Sequence, residues 1–196
     1  MDLHELYPIR LPERLTDGVI VLDAHTVADA EAHLHGEDEE MRRRFDATEV
    51  ATLEHTRQVM QRWIAARAAG GPNFVYALRG LSRELLGGCE LRLLAADRAN
   101  VSYWISWEHR GRGHAIRALK LLCDAAAGLE NLGRLEAHIA PDNLASRKVA
   151  EGAGFVETGT VEETAWTGAV STMSLCVRPV VRSAGRTRNS LSGTSL

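Results

Sequence analysis

The stretch "SYWISWEHRGRGHAIRAL" (residues 102–119) joins a strand pattern to a helix pattern through a short basic turn. The turn, "RGRGHA" (110–115), interleaves two arginines with two glycines. The first turn of a helix has unpaired backbone N–H groups at the positive end of the helix dipole. Glycines let phosphate oxygens approach those groups, and arginines add charge and donors. We therefore predict that this turn binds a pyrophosphate, with a simple flexible turn as the alternative.

The pattern around this turn predicts an α/β (α+β layered) fold. The strand at 101–107 and the strand at 134–140 are expected to be parallel, with the helix 115–128 crossing one face of the sheet. The predicted sheet is mixed, mostly antiparallel and seven-stranded, with helices on both faces. The other expected elements are a strand at 18–25, helices at 26–36 and 48–70, strands at 73–80 and 84–94, a helix at 143–155 and a closing hairpin.

Composition narrows the class of protein. The chain has 196 residues and a formal charge of −3, which gives no electrostatic case for nucleic-acid binding. No apolar run approaches the ~18 residues that span a membrane, and the N-terminus does not resemble a signal peptide, so a cytoplasmic protein is expected. The three isolated cysteines predict buried thiols and no metal site. We expect one domain over residues 1–181 and a disordered tail over 182–196.

A dinucleotide site competes weakly for the turn, because Ile116 stands where the third glycine of that fingerprint belongs. The pattern Arg110-x-x-Gly113-x-Ala115 instead resembles the acetyl-coenzyme A signature of the GNAT superfamily of N-acetyltransferases. The segment "PDNLASRKVAEGAGF" (141–155) resembles that family's next block. Together the two blocks are similar to the branch that acetylates ribosomal-protein N-termini, which also contains enzymes for polyamines and antibiotics.

The resemblance implies a GNAT-like fold and acetyl-CoA as the acyl donor. The strand Tyr103–Ser106 would pair with the pantetheine arm, which requires the strands 101–107 and 134–140 to splay apart. Asn143 would contact the pantetheine, and Arg147 the phosphates. The expected coenzyme-binding residues are Trp104, Ile105, Ser106, Arg110, Gly111, Arg112, Gly113, His114, Ala115, Asn143 and Arg147.

The chain departs from the family at the acid that protonates the departing thiolate. Many members have a tyrosine seven residues after the asparagine, and this chain has Ala150 there. The branch it resembles has a serine three residues after the asparagine, so Ser146 is the candidate acid; a surface serine is the alternative. Arg117 stands where the branch often has glutamate, which changes the charge beside the coenzyme.

The general base is less clearly marked. An α-amine has an ordinary pKa near ~7.7–8.0 and is partly neutral already, so a strong base is optional for N-terminal substrates. Glu90 and His138 are candidates by position, with a solvated strand residue and a partly buried histidine as the respective alternatives. The acidic run 37–40 fits either a solvated helix start or an attraction for a cationic amine.

These observations predict an acyl-CoA-dependent N-acetyltransferase in which an amine attacks the thioester directly. The expected partners are acetyl-CoA and an amine acceptor, with no nucleic acid and no membrane, and the resemblance also allows a homodimer. The predicted acceptor is a peptide or protein N-terminal α-amine. A small-molecule amine, such as a polyamine or aminoglycoside, and an inactive CoA-binding module are the alternatives, and a larger acyl group is open.

Overall fold

The computed structural model describes residues 9–45, 47, 49–164 and 170–181. The strands are β1 Leu15–Thr16, β2 Val21–Asp23, β3 Asn73–Arg79, β4 Leu85–Ala95, β5 Arg98–Ile105, β6 Arg134–Ile139, β7 Val156–Thr164 and β8 Val170–Pro179. The α-helices are α1 Ala30–His35, α2 Glu39–Arg44, α3 Leu53–Ala68, α4 His114–Ala126 and α5 Leu144–Gly152. The tail predicted over 182–196 lies outside the described residues.

The strands form one mixed sheet in the order β1-β2-β3-β4-β5-β6-β8-β7. Among the described strands, β5 and β6 are the one parallel pair of neighbours, so the predicted mostly antiparallel sheet is confirmed. The predicted count of seven strands was wrong, since there are eight. The additional strand is β1, which precedes a tight turn in which Asp17 Oδ1 accepts the N–H groups of Val19 and Ile20.

Helices cover both faces of this sheet, as predicted. On β5, the side chains of Ala99, Val101 and Ile105 join the main hydrophobic core, which also contains residues of α4. Alternation turns Trp104 to the opposite face, where its ring centroid lies 4.4 Å from that of His33 on α1. The central strand therefore carries side chains to two separate helical layers.

The two parallel strands separate over most of their length. The β4–β5 ladder extends to the pair Gly87↔Ile105, but the β5–β6 ladder ends at Asn100↔Glu136. In the described sheet, the half of the backbone N–H and C=O groups of residues 101–105 that face away from β4 therefore have no strand partner. The gap between β5 and β6 provides an opening through the sheet, at the place where the predicted splay was expected.

Two glycines let β4 lie close against the end of β5. A Cβ at Gly88 would lie 2.6 Å from Trp104 Nε1, and one at Gly87 would lie 2.2 Å from the Trp104 carbonyl oxygen. Neither separation is compatible with ordinary packing. The absence of a side chain at Gly88 therefore leaves room for the Trp104 indole, and its absence at Gly87 leaves room for the Trp104 backbone.

Candidate active site

A cavity of about 940 Å³ occupies the opening between β5 and β6. Most of the predicted site residues line it, and we describe it in two parts. The coenzyme half comprises the cradle Arg110–Ala115, the start of α5 and Tyr103; the acceptor half comprises Glu90, Arg92, Trp104, His138 and Glu163. The predicted residues that line the cavity are Glu90, Trp104, Ile105, Arg110, Gly111, Gly113, His114, Ala115, His138, Asn143 and Ser146.

The cradle has the backbone conformation that its glycines predict. Gly111 and Gly113 have φ values of +74° and +77°, where L side chains are strained, and open space surrounds the position of a Cβ at each. The first α4 residue whose N–H bonds back to the cradle is Arg117, which donates to the Gly113 carbonyl at 3.2 Å. The preceding N–H groups of the helix start have no intrahelical acceptor. This open, donor-rich turn fits the pyrophosphate of a coenzyme.

The signature arginines have partners within the chain. Arg110 forms a two-pronged ion pair with Asp38, with both N–O distances 2.7 Å, and its Nε donates to the Ile105 carbonyl at 3.2 Å. Arg112 donates to the Glu108 carbonyl, and Arg147 pairs with Glu157. Arg110 therefore joins the cradle to the N-terminus of α2 and holds the pKa of Asp38 below its ordinary value.

Three predicted coenzyme-binding residues do not line the cavity: Ser106, Arg112 and Arg147. The N–H of Ser106 donates to the Leu86 carbonyl, so it faces β4 and is not available to a pantetheine arm. Lys148 does line the cavity, and it has no carboxylate partner in the described part of the chain. The family resemblance predicts a phosphate contact at Arg147, and it gives no signal for Lys148, the next residue on α5.

The start of α5 positions Ser146. Asn143 caps the helix, and its Oδ1 accepts the Ser146 N–H at 3.0 Å. The Ser146 Oγ in turn accepts a hydrogen bond from the Tyr103 hydroxyl at 2.9 Å. Burial raises the pKa of Tyr103. The sequence does not mark Tyr103 as a partner of Ser146, because the two residues are 43 positions apart and lie on separate elements, β5 and α5.

In the acceptor half, Glu90 lies on β4 and is largely buried. Burial raises the pKa of its carboxyl group, and Ser102 Oγ lies 3.4 Å from Glu90 Oε2. The neighbouring Arg92 pairs with Glu163 at 3.1 Å. Among the described carboxylates that line the cavity, Glu90 has no ion pair, whereas Glu163 and Glu40 are both paired with arginines.

His138 lies on β6 between two carboxylates, and its side chain is 9% exposed. Its Nε2 is 3.2 Å from Glu136 Oε2, and its Nδ1 is 3.7 Å from Glu163 Oε2. The carboxylates of Glu163 and Glu136 raise the pKa of His138. Both ring nitrogens of His138 face carboxylates, and its raised pKa leaves less of the imidazole unprotonated near neutral pH, so the geometry favours Glu90 over His138 as a base.

The acidic run 37–40 covers the start of α2, and its carboxylates form contacts within the fold. Asp38 caps the helix by accepting the Met41 N–H at 2.9 Å, and it also binds Arg110. At the other end of α2, Arg44 donates to Asp142 at 2.7 Å, next to the start of α5. Helix α2 therefore connects the cradle to the loop before Ser146, and it forms one wall of the cavity with Met41 and Phe45.

Other expected features also have a place in the structure. The thiols of Cys89, Cys123 and Cys176 are free and buried, as predicted, and burial raises their pKa values. Among the described residues, no helix has the length and apolarity to cross a membrane. The same residues contain no group of three or more side chains that could hold a metal ion.

Comparison with known proteins gives the family. The family model described as an acetyltransferase (GNAT) domain matches residues 20–156. The chain belongs to the GNAT acetyltransferase family. The predicted acyl-CoA-dependent N-acyltransferase, with acetyl-CoA as the donor substrate, is thereby confirmed. An N-acetyltransferase called p20 from Bacillus licheniformis is 24% identical over 128 residues, which are 64% of this chain and 72% of that protein.

Solved structures agree on the fold. RimJ of Mycobacterium smegmatis, in complex with CoA-disulfide, has a TM-score of 0.71 and 20% identity, over 88% of each chain. Spermidine N-acetyltransferase from Vibrio cholerae, in complex with CoA and spermine, has a TM-score of 0.68 and 18% identity, over 84% of this chain and 97% of that one. The predicted GNAT-like fold is confirmed.

Proposed function

We propose that this N-acetyltransferase acetylates the N-terminal α-amine of a peptide or protein. The observation that carries the proposal is the charge balance of the described carboxylates that line the cavity. A pocket for a polycation needs several unpaired carboxylates, but Glu163 is neutralised by Arg92 and Glu40 by Arg43 and Arg44. Glu90 remains as one unpaired carboxyl group, which matches an acceptor with a single amine at its end.

The coenzyme half supplies the donor side of the reaction. The cradle N–H groups bind the pyrophosphate, and Lys148 adds a positive charge at the cavity wall. The unpaired backbone groups of residues 101–105 hold the pantetheine arm, and one of their N–H groups stabilises the negative charge that develops on the thioester oxygen. Such a contact contributes about 2.7–4 kcal/mol in acyl transfer. Acetyl-CoA supplies the activated acetyl group to this arrangement.

The acceptor half and Ser146 manage the protons. Glu90 takes the proton that the attacking amine loses, directly or through a water molecule. Its raised pKa brings the carboxylate closer to the pKa of an α-amine, which improves a general base. Ser146 donates a hydrogen bond to the departing thiolate, the role that a tyrosine at position 150 would otherwise have.

A small-molecule amine is the second candidate acceptor. It is favoured by the similarity in fold to the Vibrio cholerae spermidine N-acetyltransferase, although 18% identity supports the fold alone. A third candidate function is that of a domain that binds the coenzyme but transfers no acetyl group. Calorimetric titration with acetyl-CoA, with NADH as the control, separates coenzyme binding from turnover.

The acceptor is tested by thiol release from acetyl-CoA. The panel contains ten-residue peptides with N-terminal Ser, Ala or Met, the same peptides with blocked N-termini, spermidine and kanamycin. We expect turnover with free-N-terminus peptides and none with the blocked ones. Faster turnover with spermidine or kanamycin would overturn the proposal, and saturable acetyl-CoA binding with no turnover of any acceptor would favour the inactive module.

A further inference from the structure

Tyr103 is the one described tyrosine that lines the cavity, and the function proposed above gives it no role. Its hydroxyl donates to Ser146 Oγ at 2.9 Å, while Asn143 fixes the Ser146 backbone from the other side. Because Tyr103 donates, the Ser146 oxygen is used as an acceptor, and the serine proton is free to point into the cavity. The two hydroxyls therefore form a directed chain within the coenzyme half, from Tyr103 to Ser146 and on into the cavity.

We infer that Tyr103 is a positioning residue that works through Ser146, as the second member of a two-hydroxyl relay to the departing thiolate. The inference rests on the proposed role of Ser146. A serine hydroxyl is a very weak acid, whereas a phenol has an ordinary pKa near 10, closer to that of a thiol near 8.5; burial raises the pKa of Tyr103 above that ordinary value. Tyr103 on β5 thus provides a phenol, which α5 lacks because residue 150 is alanine and not tyrosine.

The proton balance of the relay is simple. As the carbon–sulfur bond breaks, the sulfur keeps the electron pair and takes the Ser146 hydroxyl proton. Ser146 takes the Tyr103 proton in the same movement, and the resulting phenolate recovers a proton from solvent after the product amide has formed. The proton that the amine loses leaves through Glu90, so the net reaction consumes no proton.

The test compares Tyr103→Phe, Ser146→Ala and the double variant with the unaltered protein. The matched control is Tyr76→Phe, which removes another buried tyrosine hydroxyl, bonded to the Pro12 carbonyl at 2.7 Å, away from the cavity. The readout that needs no acceptor is the ultraviolet titration of the CoA thiol in the bound complex. The kinetic readout is kcat and KM for acetyl-CoA, with an N-terminal-serine peptide as the acceptor.

We expect Tyr103→Phe to raise the thiol pKa of bound CoA by roughly one unit, since a hydrogen bond to an anion is lost or weakened. It should lower kcat about tenfold with an unchanged KM, and it should have no further effect in the Ser146→Ala background. Tyr76→Phe should change the melting temperature alone.

Three results would overturn the relay. If Ser146→Ala shifts the thiol pKa and kcat but Tyr103→Phe shifts neither, Tyr103 has no part in the relay and the role of Ser146 stands. If the effects of the two substitutions add in the double variant, Tyr103 acts independently of Ser146. If Ser146→Ala itself changes neither quantity, the role of Ser146 fails, and the relay fails with it.

Discussion

The two halves of the cavity are built in different ways. The cradle of the coenzyme half comes from one continuous stretch, Arg110–Ala115, whose glycines adopt the left-handed conformation that their turn requires. The acceptor half is assembled from side chains on four strands, with Glu90 on β4, Trp104 on β5, His138 on β6 and Glu163 on β7.

This difference decides what each half can tolerate. We expect the cradle to bind its ligand through its backbone conformation and exposed N–H groups. Charged side chains near it can therefore form structural ion pairs, as Arg110 does with Asp38. The acceptor half depends on which carboxylate remains unpaired after its neighbours have formed ion pairs. A change of one charge should therefore alter the acceptor half more than the coenzyme half.

The largest effect is expected for Glu90→Gln, which should leave coenzyme affinity unchanged and lower kcat about 100-fold, the range of a lost general base. Burial raises the Glu90 pKa above 4.5, so in the unaltered protein kcat should fall as the pH drops through that raised pKa. This acidic limb should be absent in the variant. The measurements are pH profiles of kcat and calorimetric titration with acetyl-CoA.

The control for this substitution is Glu162→Gln, on the exposed side of β7, which should retain both kcat and the acidic limb. An unchanged pH profile in Glu90→Gln would show that the base lies elsewhere in the acceptor half.

Gly113→Val tests the coenzyme half through its backbone. A β-branched side chain at φ +77° is strained, and we expect the affinity for acetyl-CoA to fall at least about tenfold, measured by calorimetry. Gly18→Val is the matched control, because Gly18 has φ +83° and equally open surroundings, in the turn between β1 and β2. Both variants should lose about 2 kcal/mol of stability. Equal coenzyme affinity in the two variants would contradict the role of the cradle.

His33, which packs against Trp104 of the acceptor half, should make the stability of the protein depend on pH. Burial, together with the nearby His25, holds the pKa of His33 at about 4, below the ordinary 6.5. Between these values the unfolded chain binds a proton that the folded protein does not, so the free energy of unfolding falls as the pH drops. We expect His33→Gln to remove about 2 kcal/mol of this loss between pH 7 and pH 5, measured by urea unfolding.

His55→Gln, at an exposed position of α3, is the control for the loss of a histidine side chain. The carboxyl groups with lowered pKa values, such as Asp38 and Glu163, lose their contribution at lower pH and do not enter this window. A pH dependence in His33→Gln equal to that of the unaltered protein would show that folding does not lower the pKa of His33.

The smallest effect is expected for Asp38→Asn, which breaks the link between α2 and the cradle. Asparagine still caps α2, so the substitution isolates the ion pair with Arg110. The pair is partly exposed, and we expect a loss of about 0.5–1 kcal/mol in stability and at most about threefold in coenzyme affinity, both reduced in 1 M salt.

Glu31→Gln is the matched control, because it breaks the exposed ion pair of Glu31 with Arg57 on α3, neither of which lines the cavity, and it should leave coenzyme affinity unchanged. If Asp38→Asn also leaves it unchanged, the α2 contact does not support the cradle.

The fold and the cradle could be predicted from the sequence because both follow from local rules. The glycines of "RGRGHA" require left-handed backbone, and the strand and helix periods on either side determine the crossover. The strand β1 was missed because two residues carry too little pattern to recognise. The partners of Arg110, Arg147 and Tyr103 could not be predicted, since each contact depends on how distant elements pack.

The identity of the acceptor amine is tested most directly by mapping the acetyl group on a peptide that offers two amines. The peptide has an N-terminal serine and one internal lysine, and tandem mass spectrometry locates the modification after turnover with acetyl-CoA. We expect acetylation of the α-amine, which Glu90, the one described cavity carboxylate without an ion pair, can accommodate and deprotonate. Acetylation of the lysine side chain, or turnover with spermidine and not with the peptide, would contradict it.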